Sequence, residues 1–269
     1  MPTVSLPQGQ VHFQEFNAGN QAGPPLLLLH ANPGDSRDFA AIMPVLAAHY
    51  RVLALDWPGY GASPLPTTPG AVDGDYFYQV LAALIDALGL DSVILLGNSV
   101  GGACAARYAA EYPHRVAALL LVAPGGFTPH NLMTKAFCRL QGSRLALSPQ
   151  CWASLYVKVK NDHTRAMLNR AAGEQSNPER LALNRAVWRG FVTPNADIRR
   201  AAGNITAPTL MMFGAHDPAI PAGKDGREAQ RAIPHAETAI LPCGHAAFAE
   251  MPAEFLAKVM PFLQQVGTL

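Results

Sequence analysis

The chain is 269 residues long, 49% hydrophobic and 14% charged, with a formal net charge of +1. That length suits one α/β domain with an insertion and a large core, and the near-neutral balance gives no electrostatic reason to expect nucleic acid or an anionic membrane as partner. No apolar run approaches a membrane span. Residues 1–10 lack the basic and apolar segments of a signal peptide, and the four cysteines show neither metal-ligand spacing nor the density of a secreted scaffold. A cytoplasmic protein with free thiols is expected.

In chain order, residues 11–17 alternate weakly and are expected to open a sheet, with a Gly/Pro-rich turn over 19–25. Strand-like runs follow at 51–55, 92–96 and 116–122, and an amphipathic segment over 75–88 is stopped by Gly89. Gly97-Asn98-Ser99-Val100-Gly101-Gly102 joins the run at 92–96 to an alanine-rich helix over 103–112. Between about Thr128 and Gly203 only helix signals occur, with Ser148-Pro149 and Asn177-Pro178-Glu179 as helix starts, each an N-cap followed by proline. Strand-like runs resume at 209–213 and 238–241. Alternation of this kind predicts an α/β fold with a mostly parallel sheet and helices on both faces. The core is expected over 1–127 and 204–269, with a helical cap over 128–203.

Strand, Gly-x-Ser-x-Gly and helix in that order describe a nucleophile elbow. Small residues are needed because the sharp reversal brings neighbouring backbone against both glycines. The chemistry also requires a base and an acid. A serine hydroxyl is a weak nucleophile until an imidazole accepts its proton and a carboxylate orients that imidazole. Asp217, in Gly214-Ala215-His216-Asp217-Pro218, and His245, in Pro242-Cys243-Gly244-His245, each follow a strand-like run. Groups at the carboxyl ends of parallel strands converge above one sheet edge. Ser99, Asp217 and His245 are therefore the expected catalytic residues. The bland alternative is an ordinary Gly-Ser turn. His12, His49, His114, His130, His163 and His235 have no motif around them and read as surface or packing residues; His216 reads as a loop residue. No His-Glu-x-x-His, lysine phosphate loop or dinucleotide fingerprint occurs, so no cofactor or metal is expected.

The order Ser…Asp…His resembles that of the α/β-hydrolase superfamily, and the resemblance covers essentially the whole chain. Residues 25–30 look like its third strand, ending in His30-Ala31-Asn32-Pro33-Gly34. Asp56-Trp57-Pro58-Gly59-Tyr60-Gly61-Ala62-Ser63 is similar to its segment after the fourth strand, and residues 251–262 to its last helix. The resemblance implies an oxyanion hole made by the backbone N–H groups of Val100 and Asn32. It also implies a structural role for His30 in that loop and a bracing role for Asp56, the remaining rival for the acid. Relatives that place the acid after the sixth strand have no counterpart here, because Val122-Ala123-Pro124-Gly125-Gly126 offers no carboxylate. A side chain similar to Asn32 faces the pocket in haloalkane dehalogenases. Those enzymes and epoxide hydrolases use an aspartate nucleophile, and position 99 is serine.

Within the superfamily, the elbow, Glu111-Tyr112-Pro113-His114-Arg115-Val116, Pro124-Gly125-Gly126 and Cys243-Gly244-His245 resemble the meta-cleavage-product hydrolases, which cut a carbon–carbon bond. Two departures are Ala31-Asn32-Pro33-Gly34, in place of a glycine-rich loop, and Ala246, where tryptophan is usual. Hydrolysis of a small carboxylic ester is the first reading and C–C bond hydrolysis the second. A non-catalytic small-molecule receptor is the third. Candidate residues for an apolar lining, in the cap and at its edge, are Phe127, Leu132, Met133, Phe137, Leu140, Trp152, Leu155, Tyr156 and Trp188. Lys158, Lys160, Arg165, Arg185 and Arg189 are either solvated faces or carboxylate ligands.

Overall fold

A computed structural model describes residues 2–20, 22–174 and 176–267. Among them, β1 (Thr3–Leu6), β2 (Gly9–Phe16), β3 (Leu26–Leu29), β4 (Val52–Leu55), β5 (Val93–Asn98), β6 (Val116–Val122), β7 (Thr209–Gly214) and β8 (Glu237–Leu241) form one sheet. Their order is β1-β2-β4-β3-β5-β6-β7-β8. The pairs β1/β2 and β2/β4 are antiparallel and all others parallel. All four leucines of β3 are buried, as a central parallel strand covered on both faces requires.

Alternation along the strands sends side chains to two separate cores. Leu27, Leu29, Leu53, Leu55 and Leu95 pack with α2 (Gly74–Ala87), α3 (Val100–Glu111) and α8 (Arg227–Ala232). Leu26, Leu28, Val52, Ile94 and Leu96 pack on the opposite face with α1 (Met43–His49), α9 (Ala247–Glu250) and α10 (Pro252–Gln265). The Asp73 side chain caps α2 by accepting from Tyr76 N at 3.0 Å, and beyond the helix Gly89 takes φ 60°, the left-handed stop its sequence position predicts. One expectation needs correcting: the sheet opens at β1, not at residues 11–17. β1 has four residues of which only Leu6 is buried, so it carried no apolar signal and is held by its ladder to β2.

Between β6 and β7 lie the helices of the cap: α4 (Leu132–Gln141), α5 (Pro149–Tyr156), α6 (Asp162–Glu174) and α7 (Pro178–Gly190). The proline starts behave as their chemistry dictates. The Ser148 hydroxyl accepts from Cys151 N at 3.2 Å, and Asn177 Oδ1 accepts from Glu179 N at 2.9 Å and Arg180 N at 3.2 Å. Trp152, Tyr156, Cys138, Ala171 and Trp188 make a small apolar core of the cap's own. Arg170 of α6 ties the cap to the loop after β3, pairing with Asp35 at 3.1 Å and Asp38 at 2.5 Å.

Candidate active site

β5 ends at Asn98, and the chain reverses at Ser99 into α3. Ser99 takes φ 55° and ψ −114°, a conformation that costs a residue with a side chain on the order of 1–3 kcal/mol. Surrounding backbone holds it there. Its N–H donates to Val122 O at 3.1 Å, and its carbonyl accepts from Ala103 N and Gly125 N, each at 2.9 Å. The reversal is tight enough that a Cβ on Gly101 would lie 2.2 Å from Leu29 O, and one on Gly97 2.4 Å from Gly101 O. α3 begins at Val100, so the unpaired N–H groups and positive dipole end of its first turn gather beside the serine.

Asp217 follows β7 and His245 follows β8. His245 Nδ1 lies 2.6 Å from Asp217 Oδ2, and both side chains are buried. With Nδ1–H donating to the carboxylate, Nε2 is left as the ring's acceptor. Burial by itself raises the Asp217 carboxyl, but its charge interaction and hydrogen bond with His245, with the N–H groups of Ala219 and Ile220, outweigh it and hold the group below the ordinary carboxylate range. The His245 backbone is gripped from two sides. Its carbonyl accepts from Asn98 Nδ2 at 3.1 Å, and its N–H donates to Tyr156 O of the cap at 2.9 Å. The Tyr156 ring packs 5.0 Å from the imidazole, centroid to centroid.

The loop after β3 is ordered by His30. Trp57 N donates to its Nε2 at 3.1 Å, so Nδ1 carries the proton and donates to Ala31 O at 2.7 Å. Burial lowers its pKa and keeps this fully enclosed ring neutral. Asn32 lies on the same loop. Its Oδ1 accepts from the Tyr60 hydroxyl at 2.6 Å, and its Nδ2 is buried without a partner among the described residues. Asp56 sits outside the pocket. It accepts from Ser36 N at 2.7 Å and Ala62 N at 2.9 Å, and lies 2.7 Å from His12 Nδ1. His12 is thus a buried partner of Asp56; no motif around it signalled the pairing. His216 is exposed.

Ser99, Val100, Asn32 and His245 all line one cavity of about 380 Å³, with Asp217 holding the imidazole. From the cap, Met133, Phe137, Trp152 and Trp188 reach it as proposed from sequence, while Phe127, Leu132, Leu140, Leu155 and Tyr156 do not. Leu132 is 82% exposed, whereas Phe127 is fully enclosed in the core. None of Lys158, Lys160, Arg165, Arg185 and Arg189 lines the cavity. Arg189, for instance, donates to Gly142 O at 2.7 Å.

Sequence reasoning missed the core's own share of the wall: Ala103, Cys104 and Arg107 of α3, Asp75 and Tyr78 of α2, and Asp225. Val100, Ala103, Cys104 and Arg107 recur at helical spacing from the elbow, a signal that was available. Arg107 is held by Asp75 and Glu111 and stacks 3.9 Å over the Tyr78 ring. No cluster of metal-ligating side chains occurs among the described residues, and no helix among them is long and apolar enough to cross a membrane.

Comparison with known proteins agrees with this architecture. Residues 24–142 match the model of the alpha/beta hydrolase fold. The chain is 30% identical over 281 residues to a 2-hydroxy-6-oxo-6-phenylhexa-2,4-dienoate hydrolase of Burkholderia cepacia, covering 94% of this chain and 91% of that one. It belongs to the α/β-hydrolase superfamily. This hydrolase is also 32% identical to a dihydrolipoyllysine-residue acetyltransferase component of an acetoin cleaving system from Pseudomonas putida, over 93% of its own length and 66% of that protein's. Among solved structures, an enol-lactonase from Burkholderia xenovorans superposes with a TM-score of 0.80 at 20% identity, over 98% of this chain and 100% of that one. At that identity the likeness is one of fold.

Proposed function

We propose that this hydrolase cleaves a small, largely apolar carboxylic ester through an acyl-enzyme on Ser99. The observation that carries the reading is the single cavity shared by Ser99 and His245 while Asp217 fixes the imidazole. Ser99 Oγ attacks the carbonyl carbon as His245 Nε2 takes its proton. The N–H groups of Val100 and Asn32 receive the oxyanion. His245 then protonates the departing alkoxide, and water, activated by the same imidazole, releases the acid. Asp217 stays ionised throughout and stabilises the imidazolium.

Carbon–carbon hydrolysis of a dienoate is the second reading, and the name of the Burkholderia cepacia relative favours it. The charge on the cavity wall favours the ester. A dienoate carries a carboxylate, whereas Arg107 is already held by two acids and Lys224 is exposed beside Asp225. A screen of p-nitrophenyl esters of graded acyl length, run beside a chromogenic ring-fission dienoate, tests the choice. Ester turnover without loss of dienoate colour supports the first reading, and the reverse supports the second. A single slow turnover on every compound supports a receptor and overturns both.

A further inference from the structure

Glu250, at the end of α9, is only 2% exposed and makes no ion pair among the described residues. Its oxygens are met by backbone instead. Oε2 accepts from Gly244 N at 2.9 Å and from Lys158 N and Val159 N, each at 2.8 Å; Oε1 accepts from Ala246 N at 3.1 Å. Gly244 and Ala246 flank His245. Lys158 and Val159 belong to the connection between α5 and α6 of the cap. One buried carboxylate therefore binds both shoulders of the imidazole's loop to a segment of the cap, using N–H donors to fill its acceptor sites.

The rest of that seam is as close. A Cβ on Gly244 would lie 1.9 Å from Tyr156 O, so the two backbones touch. Asn161, two residues past Val159, donates through Nδ2 to Ala249 O at 2.8 Å and Glu250 O at 3.2 Å. Asp217 fixes the imidazole ring, but nothing in that contact fixes the height of the loop carrying it. The Glu250 bonds do.

We propose that Glu250 is a positioning residue for His245, setting the loop of the base and coupling it to the seating of the cap. This rests on His245 acting as the base. Loss of the carboxylate frees two or more N–H groups beside the base and lets the loop drift, and small misplacements of a catalytic group cost rate steeply.

The test is Glu250→Gln, which keeps the volume but replaces one acceptor oxygen with a donor. Expected is a kcat lower by about 10–100-fold with KM within about threefold. Imidazole nitrogen NMR of His245 in the Ser99→Ala background reads the misplaced ring without turnover, as changed His245 resonances. It therefore reports on Glu250 even if His245→Ala shows that the base has been misassigned. A folded Glu250→Gln protein with unchanged kcat and unchanged His245 resonances overturns the proposal. If that variant fails to fold, Asn161→Ala, which spares the carboxylate but removes the ties to Ala249 O and Glu250 O together with the bond from Thr164 N to Asn161 Oδ1 at the start of α6, is expected to lower Tm and to lower kcat of the folded protein by about 3–10-fold with KM within about threefold. An unchanged kcat there overturns the coupling.

Discussion

Two histidine–aspartate pairs are buried in this hydrolase with nearly identical geometry: His245 Nδ1 to Asp217 Oδ2 at 2.6 Å and His12 Nδ1 to Asp56 Oδ2 at 2.7 Å. Each aspartate also accepts two backbone N–H groups, Ala219 and Ile220 in one case, Ser36 and Ala62 in the other. Even a serine stands by each pair. Ser63 Oγ donates to Asp56 O at 2.7 Å and accepts from His12 N at 2.8 Å. The difference lies beyond the hydrogen bond. His245 opens on a cavity that also holds Ser99, whereas His12 Nε2 is buried with no partner among the described residues. A paired imidazole is a candidate base only where its second nitrogen can reach something that reacts. Otherwise the same contact braces strands and loops.

The sharpest way to break that comparison is to remove each pair in turn. His245→Ala is expected to lower kcat by roughly 10³–10⁶-fold with the fold retained, and Asp217→Asn by about 10⁴-fold because it favours the wrong tautomer. His12→Ala and Asp56→Asn are expected to leave kcat of the folded protein within about threefold while costing about 1–3 kcal/mol of stability. Steady-state kinetics with thermal melts reads all four. A larger kcat loss in a folded Asp56→Asn protein than in Asp217→Asn would move the acid role to Asp56.

A third buried acid sharpens the contrast, because it has an arginine where the others have an imidazole. Burial first, then the neighbouring charge of Asp35, pushes the Asp38 carboxyl to about 7, against the pull of Arg170. A carboxyl raised on folding contributes stability below its unfolded pKa and loses it as pH rises through the folded value. The wild-type melting temperature is therefore expected to fall between about pH 4 and pH 7 relative to Asp38→Asn, and parallel Tm profiles across that window would show that Asp38 does not titrate there. The smallest effect is expected in the cap. Trp152→Ala should change preference among acyl lengths by about 3–10-fold while labelling of Ser99 by a small fluorophosphonate is nearly unchanged. A uniform fall across all lengths, tracking Tm, would mean that Trp152 only packs the cap core.

The sheet and the strand-end residues were legible because each leaves a local mark: the apolar run at β6, the glycines around Ser99, the turn carrying Asp217. What sequence could not supply were relations between distant segments. His12 and Asp56 meet only because β2 lies against β4, and neither segment announces the other. Glu250 meets the cap across ninety-odd positions of chain, through backbone groups that have no sequence identity. In the cap, helix starts were readable from Ser148 and Asn177, but which aromatics face the cavity depends on how helices roll against each other. Met133 and Leu132 are neighbours in α4, yet only Met133 lines the pocket.

The parallel pairing of β6 with β7 also fixes an order of events during synthesis. The partner of one edge of β6, β5, is made before it, whereas its other edge, from Leu119 to Val122, waits for β7 until the cap residues have been made. An apolar strand with an open edge is a template for mispairing, so this interval exposes the nascent chain to aggregation. The turn at Ser99 can form in that interval, but the paired imidazole cannot, because Asp217 and His245 arrive only with β7 and β8. A chain released early would therefore carry the turn at Ser99 without the imidazole that the proposed reaction needs, and a sheet edge open to mispairing.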